Sequence, residues 1–289
     1  MREFYSMICL TGDIHQASLK TNEQKYIENP DNSEVKISCR YLKLLEKYGI
    51  KATFYVTGKT LDEEWNDFKP IADSELVEIG GHTYGGLPIS NLYRAWCKIT
   101  GKTPLSHSYT HGSRMQQKKD IQKMIDVVKA RTGKNVVSWR SHGLVFDNNT
   151  YPLLAEMRVQ MISDDLNWNK IHPEKIKEGL ISHPMNVIMD HDHIYHAHRT
   201  KEYVDKMGKN WPWPDDPAKG SYTVEEWGKM VEEQVLDIEE KGGIATVLMH
   251  PICMYISDCF KTAEKLFKVF SKYKTIWAQE IPQYLKNRI

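Results

Sequence analysis

Five side chains of catalytic type stand at the ends of short apolar runs spread along the chain: Asp13, His82, Arg140, Asp164 and His250. A neutral imidazole can ligate a metal or move a proton. A carboxylate can serve as base or ligand, and a guanidinium is a planar fork that suits a carboxylate. The stretch 75–86 shows the arrangement best: the apolar run 76–79 enters Gly80 and Gly81 and presents His82. Glycines there are expected to let the backbone take conformations that a side chain forbids. The densest histidine run is 189–199, with His191, His193, His196 and His198. In an extended segment His191 and His193 point one way, and Asp190 and Asp192 the other. One histidine in a loop is ordinarily only solvated; the convergence of several strand ends makes the argument.

The elements that would bring these residues together alternate. Residues 6–11 form a strand, 35–45 carry apolar residues at helical spacing closed by Gly49, and 52–56 form a second strand. A third strand spans 76–79. Helices over 116–131 and 149–157 alternate with strands over 136–139 and 159–162, and an extended run over 180–189 leads into the histidine cluster. Thr223 and Glu226 make a capping box for a long helix. A strand over 244–249 ends at His250, a helix covers 257–273, and a last strand covers 275–277. About seven strand–helix alternations without a break in composition predict one α/β domain over 1–289, a barrel or a doubly wound sheet. In a barrel the strand C-termini converge on one mouth. Residues 86–113, with Pro88, Gly101, Pro104 and Gly112, read as an insertion or lid, and 199–221 as a Pro- and Trp-rich surface loop.

Composition excludes several classes. The apolar and charged fractions, 40% and 27%, are those of a water-soluble globular chain, and a formal net charge of +1 offers no broad basic surface for nucleic acid. No apolar run reaches the ~18 residues of a membrane span. Cys9, Cys39, Cys97, Cys253 and Cys259 are odd in number and lack CxxC spacing. Reduced thiols and an N-terminus poor in apolar residues lead to the expectation of a cytoplasmic protein without a signal peptide.

With these residues in hand, the chain resembles the polysaccharide deacetylases of the NodB-homology type, carbohydrate esterase family 4. Leu10-Thr11-Gly12-Asp13 stands at the family's Thr-Phe-Asp-Asp motif, and residues 48–58 are close to its second-strand signature. Residues 77–83 match the start of its His-Ser/Thr-x-x-His motif, Trp139-Arg140-Ser141-His142-Gly143 its Arg-x-Pro motif, and Leu248-Met249-His250 its Leu-x-His motif. The resemblance implies a distorted (β/α)7-8 barrel and a divalent metal, zinc, held by one Asp and two His. It implies metal-assisted hydrolysis of an acetamide on a sugar, with Asp13 as base, His250 as acid, Arg140 orienting the base and His82 on the metal. Asp165 with Trp168 resembles the family's substrate-groove motif. His142, His191 and His193 are further expected substrate contacts at the mouth.

Two family ligands are replaced. The metal Asp falls at Ile14 and the second His at Gly86, neither of which can ligate. Three readings follow. In the first, the metal site is rebuilt, with His15 two residues beyond Asp13 on the same side of an extended segment; His107 and His111 have suitable spacing within the insertion. In the second, the chemistry is metal-free, on a more activated amide or imide. Or the barrel binds carbohydrate without turnover. The preferred expectation is a hydrolase with Asp13, His15 and His82 around zinc. Its partner is a small-molecule or oligosaccharide substrate, with neither nucleic acid nor membrane.

Overall fold

Strand β1 (Met7–Ile14) is buried along its whole length, and its side chains alternate between two cores. Met7 and Cys9 pack with Tyr55, Met161, Ile244 and Ile281 in one cluster. Ile8, Leu10 and Ile14 pack with Val35, Leu42 and Phe267 in another. A period of two thus separates an inner lining from an outer layer covered by helices. The structure, a computed structural model, describes residues 7–19, 23–85, 95, 99–100, 112–207, 211 and 213–286. Most of the expected insertion at 86–113, with Gly86, His107 and His111, lies outside the described residues.

The remaining strands are β2 (Ala52–Val56), β3 (Val77–Gly81), β4 (Ser138–Trp139), β5 (Met161–Ile162), β6 (Glu174–Lys175), β7 (Ile181–Ser182), β8 (Ile244–Leu248) and β9 (Lys274–Thr275). They form one sheet in the order β6-β7-β5-β4-β3-β2-β1-β8, with β9 added to β1. Every ladder is parallel except β6–β7. Helices α1 (Glu34–Tyr48), α2 (Gly58–Glu63), α3 (Trp65–Asp73), α4 (Arg114–Thr132) and α5 (Thr150–Glu156) follow the first strands. Then come α6 (Lys201–Met207), α7 (Val224–Glu240), α8 (Pro251–Asp258), α9 (Lys261–Phe270) and α10 (Ile281–Lys286). This is the parallel-strand, crossover-helix arrangement that the alternation predicts, in the distorted-barrel form that the resemblance implies.

Three expectations change in detail. Gly80 and Gly81 are not in the left-handed region. They are needed for space, because a Cβ at Gly80 would lie 2.5 Å from the Tyr55 ring and one at Gly81 2.2 Å from the Trp139 ring. The helix expected over 257–273 is two helices. Cys259 and Phe260 both take positive φ, which ends α8 and restarts the chain as α9. The 199–221 segment contains α6, and Asp216, Ala218 and Ser221 within it are buried.

Between the β7 side and β8, among the described residues, side chains join the Ile244 N–H to Ile171 carbonyl bond (2.9 Å) in holding the wall together. Asn186 accepts the Thr246 N–H at its Oδ1 (2.8 Å) and donates its Nδ2 to the carbonyls of Ile244 and Lys170, both at 2.9 Å. The amide of one side chain thus stands where a strand's peptide group would, and His183 Nε2 adds a donor to the same Ile244 carbonyl at 3.2 Å. Asn186→Ala leaves the buried Thr246 N–H without its acceptor. It should lower unfolding free energy by about 2–4 kcal/mol in urea titrations, since each buried polar group left unpaired costs about 1–3 kcal/mol. A loss below about 0.5 kcal/mol, the size of an ordinary surface change, would contradict this role.

Candidate active site

Inward-facing positions on β1 continue from Met7 and Cys9 through Thr11 to Asp13, and those on β4 lead from Ser138 to Arg140. Arg140 is wholly buried and spends its guanidinium on four acceptor contacts. Nε donates to the Ser163 carbonyl (3.1 Å), Nη1 to Asp13 Oδ1 (2.9 Å), and Nη2 to the hydroxyls of Thr11 and Ser163 (both 3.0 Å). Its guanidinium carbon lies 4.4 Å from the centroid of the Tyr55 ring beneath it. Burial alone would raise the Asp13 pKa, but Arg140, His82 and His250 outweigh it and hold the carboxyl well below its usual range. Asp13 is therefore an ionised carboxylate with one oxygen clamped. Its Oδ2 lies 3.7 Å from His82 Nε2 and 3.6 Å from His250 Nε2.

Two residues beyond the last inward position on each of three strands stands a histidine: His15 after Asp13, His82 after Gly80 and His142 after Arg140. Their rings form a triangle with centroid separations of 5.2, 5.0 and 5.1 Å. One ligand atom from each lies within 4.8 Å of the others. The donor set suits a transition metal. His82 Nδ1 donates to the Arg140 carbonyl at 2.7 Å, so Nε2 carries the lone pair on the side of Asp13. Burial drives the His82 pKa down to about 3, against the pull of Asp13, so the ring is neutral. His15 Nδ1 donates to Glu34 Oε1 at 3.1 Å, while its Nε2 is buried without a hydrogen-bond partner. A carboxylate behind a histidine whose other nitrogen is open is the arrangement that orients metal-bound imidazoles. Burial, then His15 and His82, push the His142 pKa well down, which favours the neutral ligand form. The residues present therefore fit a divalent ion with nitrogen ligands such as zinc.

His250 faces Asp13 from the opposite side, at the end of β8. Its Nδ1 donates to Asp190 Oδ1 at 2.7 Å, and Asp190 Oδ2 accepts its backbone N–H at 2.5 Å. Burial opposes the imidazolium, yet Asp190 and Asp13 outweigh it and raise the His250 pKa well above the usual value. His250 is held protonated between two carboxylates, which is the state of a general acid.

The grouping differs from the expected ligand set in one member. Asp13 stands beside the imidazole triangle, with Oδ1 on Arg140, and His142 takes the third place in the triangle where a substrate contact was expected. Ile14 is fully buried in the outer core, out of phase with Asp13. Asp165 uses Oδ1 to accept its neighbour Leu166 N–H, and Trp168 is 56% exposed. The buried member of that pair is Asp164, which binds the N–H and hydroxyl of Ser141 (2.5 and 3.0 Å) and so fixes the turn that carries His142. His191 and His193 do not point the same way, because the chain turns at 190–193. His193 is committed to the Gly220 carbonyl (2.5 Å) and Asp216 (3.0 Å), with no ring nitrogen left for substrate. His191 lies 5.6 Å from His250, ring to ring. Glu34 and Asp190 are partners that the sequence reading missed. Asp190 had a signal, since it ends an apolar run like the other five; Glu34, in the first turn of a helix, had none.

Comparisons with known proteins bear on the fold. The family model for polysaccharide deacetylase matches residues 28–162. No curated protein matches the chain in sequence. Among solved structures, a putative polysaccharide deacetylase from Mycobacterium smegmatis is similar at a TM-score of 0.64 and 15% identity, covering 100% of this chain and 93% of that one. Puue allantoinase is similar at 0.62 and 9% identity, covering 96% and 88%. A mutant of BA3943, described as a CE4 family pseudoenzyme, is similar at 0.52 and 15% identity, covering 96% and 67%. No helix among the described residues is long and apolar enough to cross a membrane.

The clamp on Asp13 has a measurable cost of removal. Arg140→Met should destabilise the protein by about 3–5 kcal/mol in urea titrations, because it strands a buried carboxylate. Adding Asp13→Asn to Arg140→Met should recover part of that loss. Equal destabilisation in the single and double variants would show that the pair is not the source.

Proposed function

We propose that the chain is a divergent member of the polysaccharide deacetylase superfamily, a reading supported by the family-model match over residues 28–162, and that it hydrolyses an amide C–N bond. The reaction class is N-deacetylation of a sugar or sugar conjugate, with a divalent metal held by His15, His82 and His142. One observation carries this reading. The base pair Asp13–Arg140 and the acid pair His250–Asp190 flank a triangle of imidazoles in which the His15 Nε2 is buried and open. An inert barrel gains nothing from burying an open ring nitrogen beside two ionised pairs.

A divalent ion in the triangle supplies Lewis acidity toward the amide carbonyl and lowers the pKa of water. The chain's own groups do the rest. Asp13 Oδ2 takes a proton from the attacking water, while Arg140 keeps Oδ1 fixed and the carboxylate ionised. His250 gives its Nε2 proton to the leaving nitrogen, and Asp190 steadies the imidazole through the transfer. Glu34 and the Arg140 carbonyl fix the His15 and His82 rings so that their Nε2 atoms face the site. The described cysteines Cys9, Cys39, Cys253 and Cys259 are free thiols, which supports a reducing compartment such as the cytosol and a small intracellular conjugate as substrate.

A second reading, metal-independent hydrolysis of an amide or imide, is favoured by the likeness to an allantoinase and by the base and acid, which are complete without a cation. Chelation separates the two. Acetate release from N-acetylated sugars should fall on chelator treatment and return with zinc, and His82→Ala should lose the bound metal. Activity that survives chelation would move the reading to the second. His250→Ala should lower kcat by roughly 10²–10⁴-fold. No turnover of amides, imides or acetylated sugars by metal-loaded protein would overturn both.

The pH profile follows from the same pairs. His250 has a raised pKa, so its protonated form persists through neutrality and is lost only on the alkaline side. The rate should stay level through neutral pH and fall at alkaline pH. Asp190→Asn removes the larger of the two stabilising charges and should move that fall towards neutrality. An alkaline limb that stays in place in Asp190→Asn would show that His250 is not the group being titrated.

A further inference from the structure

Behind the acid lies a second group of ligand-type side chains that the hydrolysis does not use. The turn at 190–199 carries His191 and His196, and Cys253 lies in the first turns of α8. One ligand atom from each lies within 4.8 Å of the others. Cys253 Sγ is 3.8 Å from His191 Nδ1. Glu23, from the loop before α1, places Oε1 3.4 Å from the same nitrogen. Two features of this group stand out. His196 is 7% exposed, and both of its ring nitrogens are buried without a hydrogen-bond partner. Glu23 Oε1 is likewise buried and accepts no hydrogen bond.

A buried imidazole with neither nitrogen satisfied is costly, and a fully buried thiol beside two imidazoles and a carboxylate is an unusual apolar filler. We propose that His191, His196 and Cys253, with Glu23 beside them, form a second metal site for a thiophilic divalent ion of the zinc type. One thiolate, two neutral imidazoles and one carboxylate balance a 2+ charge and match zinc's preference for sulfur and nitrogen ligands. Binding forms a metal–sulfur bond, and the thiol proton leaves to solvent. The His191 side chain is 32% exposed, which gives the ion a route in. Asp190, although near, is spent: its oxygens hold the His250 ring, the His250 N–H and the His191 N–H. The site ties the 190–199 turn, α8 and the loop before α1 together directly behind His250. Its role is to brace the acid rather than to meet substrate.

Cobalt gives a readout independent of turnover. Metal-free protein titrated with Co²⁺ should develop the near-ultraviolet charge-transfer band of a cobalt–thiolate bond, alongside the visible bands of cobalt held by nitrogen. Cys253→Ser should lose the charge-transfer band and keep the visible bands of the His15, His82 and His142 site. His196→Gln should weaken the cobalt giving the charge-transfer band by at least about tenfold, as loss of a metal-orienting group does. His82→Ala should keep that band, which separates this site from the one proposed for hydrolysis. The inference is overturned if saturated wild-type protein shows no thiolate band, if the band persists in Cys253→Ser, or if His82→Ala abolishes it.

Discussion

A guanidinium sealed inside the barrel is the constraint from which the site follows. Arg140 cannot lose its proton, so each neighbour must answer a permanent charge. Asp13 answers it with a carboxylate kept ionised, and Thr11 and Ser163 with hydroxyls that tie β1 and the end of β5 to the same fork. The backbone of that residue also joins β3, where its N–H meets the Gly81 carbonyl and its own carbonyl fixes the His82 tautomer. The ionised Asp13, the His82 tautomer and the strand register are therefore consequences of one buried cation. The close packing of Tyr55 below it is possible because Gly80 has no side chain.

Phase along the strands does the remaining placement. Alternation puts Thr11, Asp13 and His15 on one side of the first strand, and Ile14 out of phase in the apolar layer under the helices. His15 is thus in the inward phase that Ile14 lacks. The same spacing after Arg140 delivers His142, and Asp164 pins the turn that would otherwise let it swing. Charges around the site are sorted by partner. His250 faces the buried Asp190 and is held charged, whereas His82 donates to a carbonyl and is left neutral.

Much of this is legible in the sequence, because strand ends and parity are local properties. The alternation of elements, the convergence of Asp13, His82, Arg140 and His250, and the inward phase of His15 all follow from patterns within a few residues. What the sequence hides is pairing across distance. Nothing near position 34 announces that Glu34 backs His15, and nothing near 253 announces two histidines more than fifty residues earlier. The 190–193 segment misleads for a physical reason: an extended reading puts His191 and His193 on one side, but the chain turns there and sends His193 to Asp216. Short strands such as β4 and β7 look longer in sequence than they are, because apolar runs continue beyond the last ladder bond.

The seam closed by Asn186 has a bearing on timing as well as on strength. Asp190 arrives from one bank of that seam and His250 from the other, four residues beyond Asn186 and two beyond the end of β8. His250 and its carboxylate partner are thus held together across a seam that the Asn186 side chain bridges. Local opening at such a line, at free energies below global unfolding, separates the imidazole from its counter-ion while the rest of the sheet stays paired. On the proposed reaction, the acid pair therefore rests on this one cross-seam contact as well as on the ladders of the sheet.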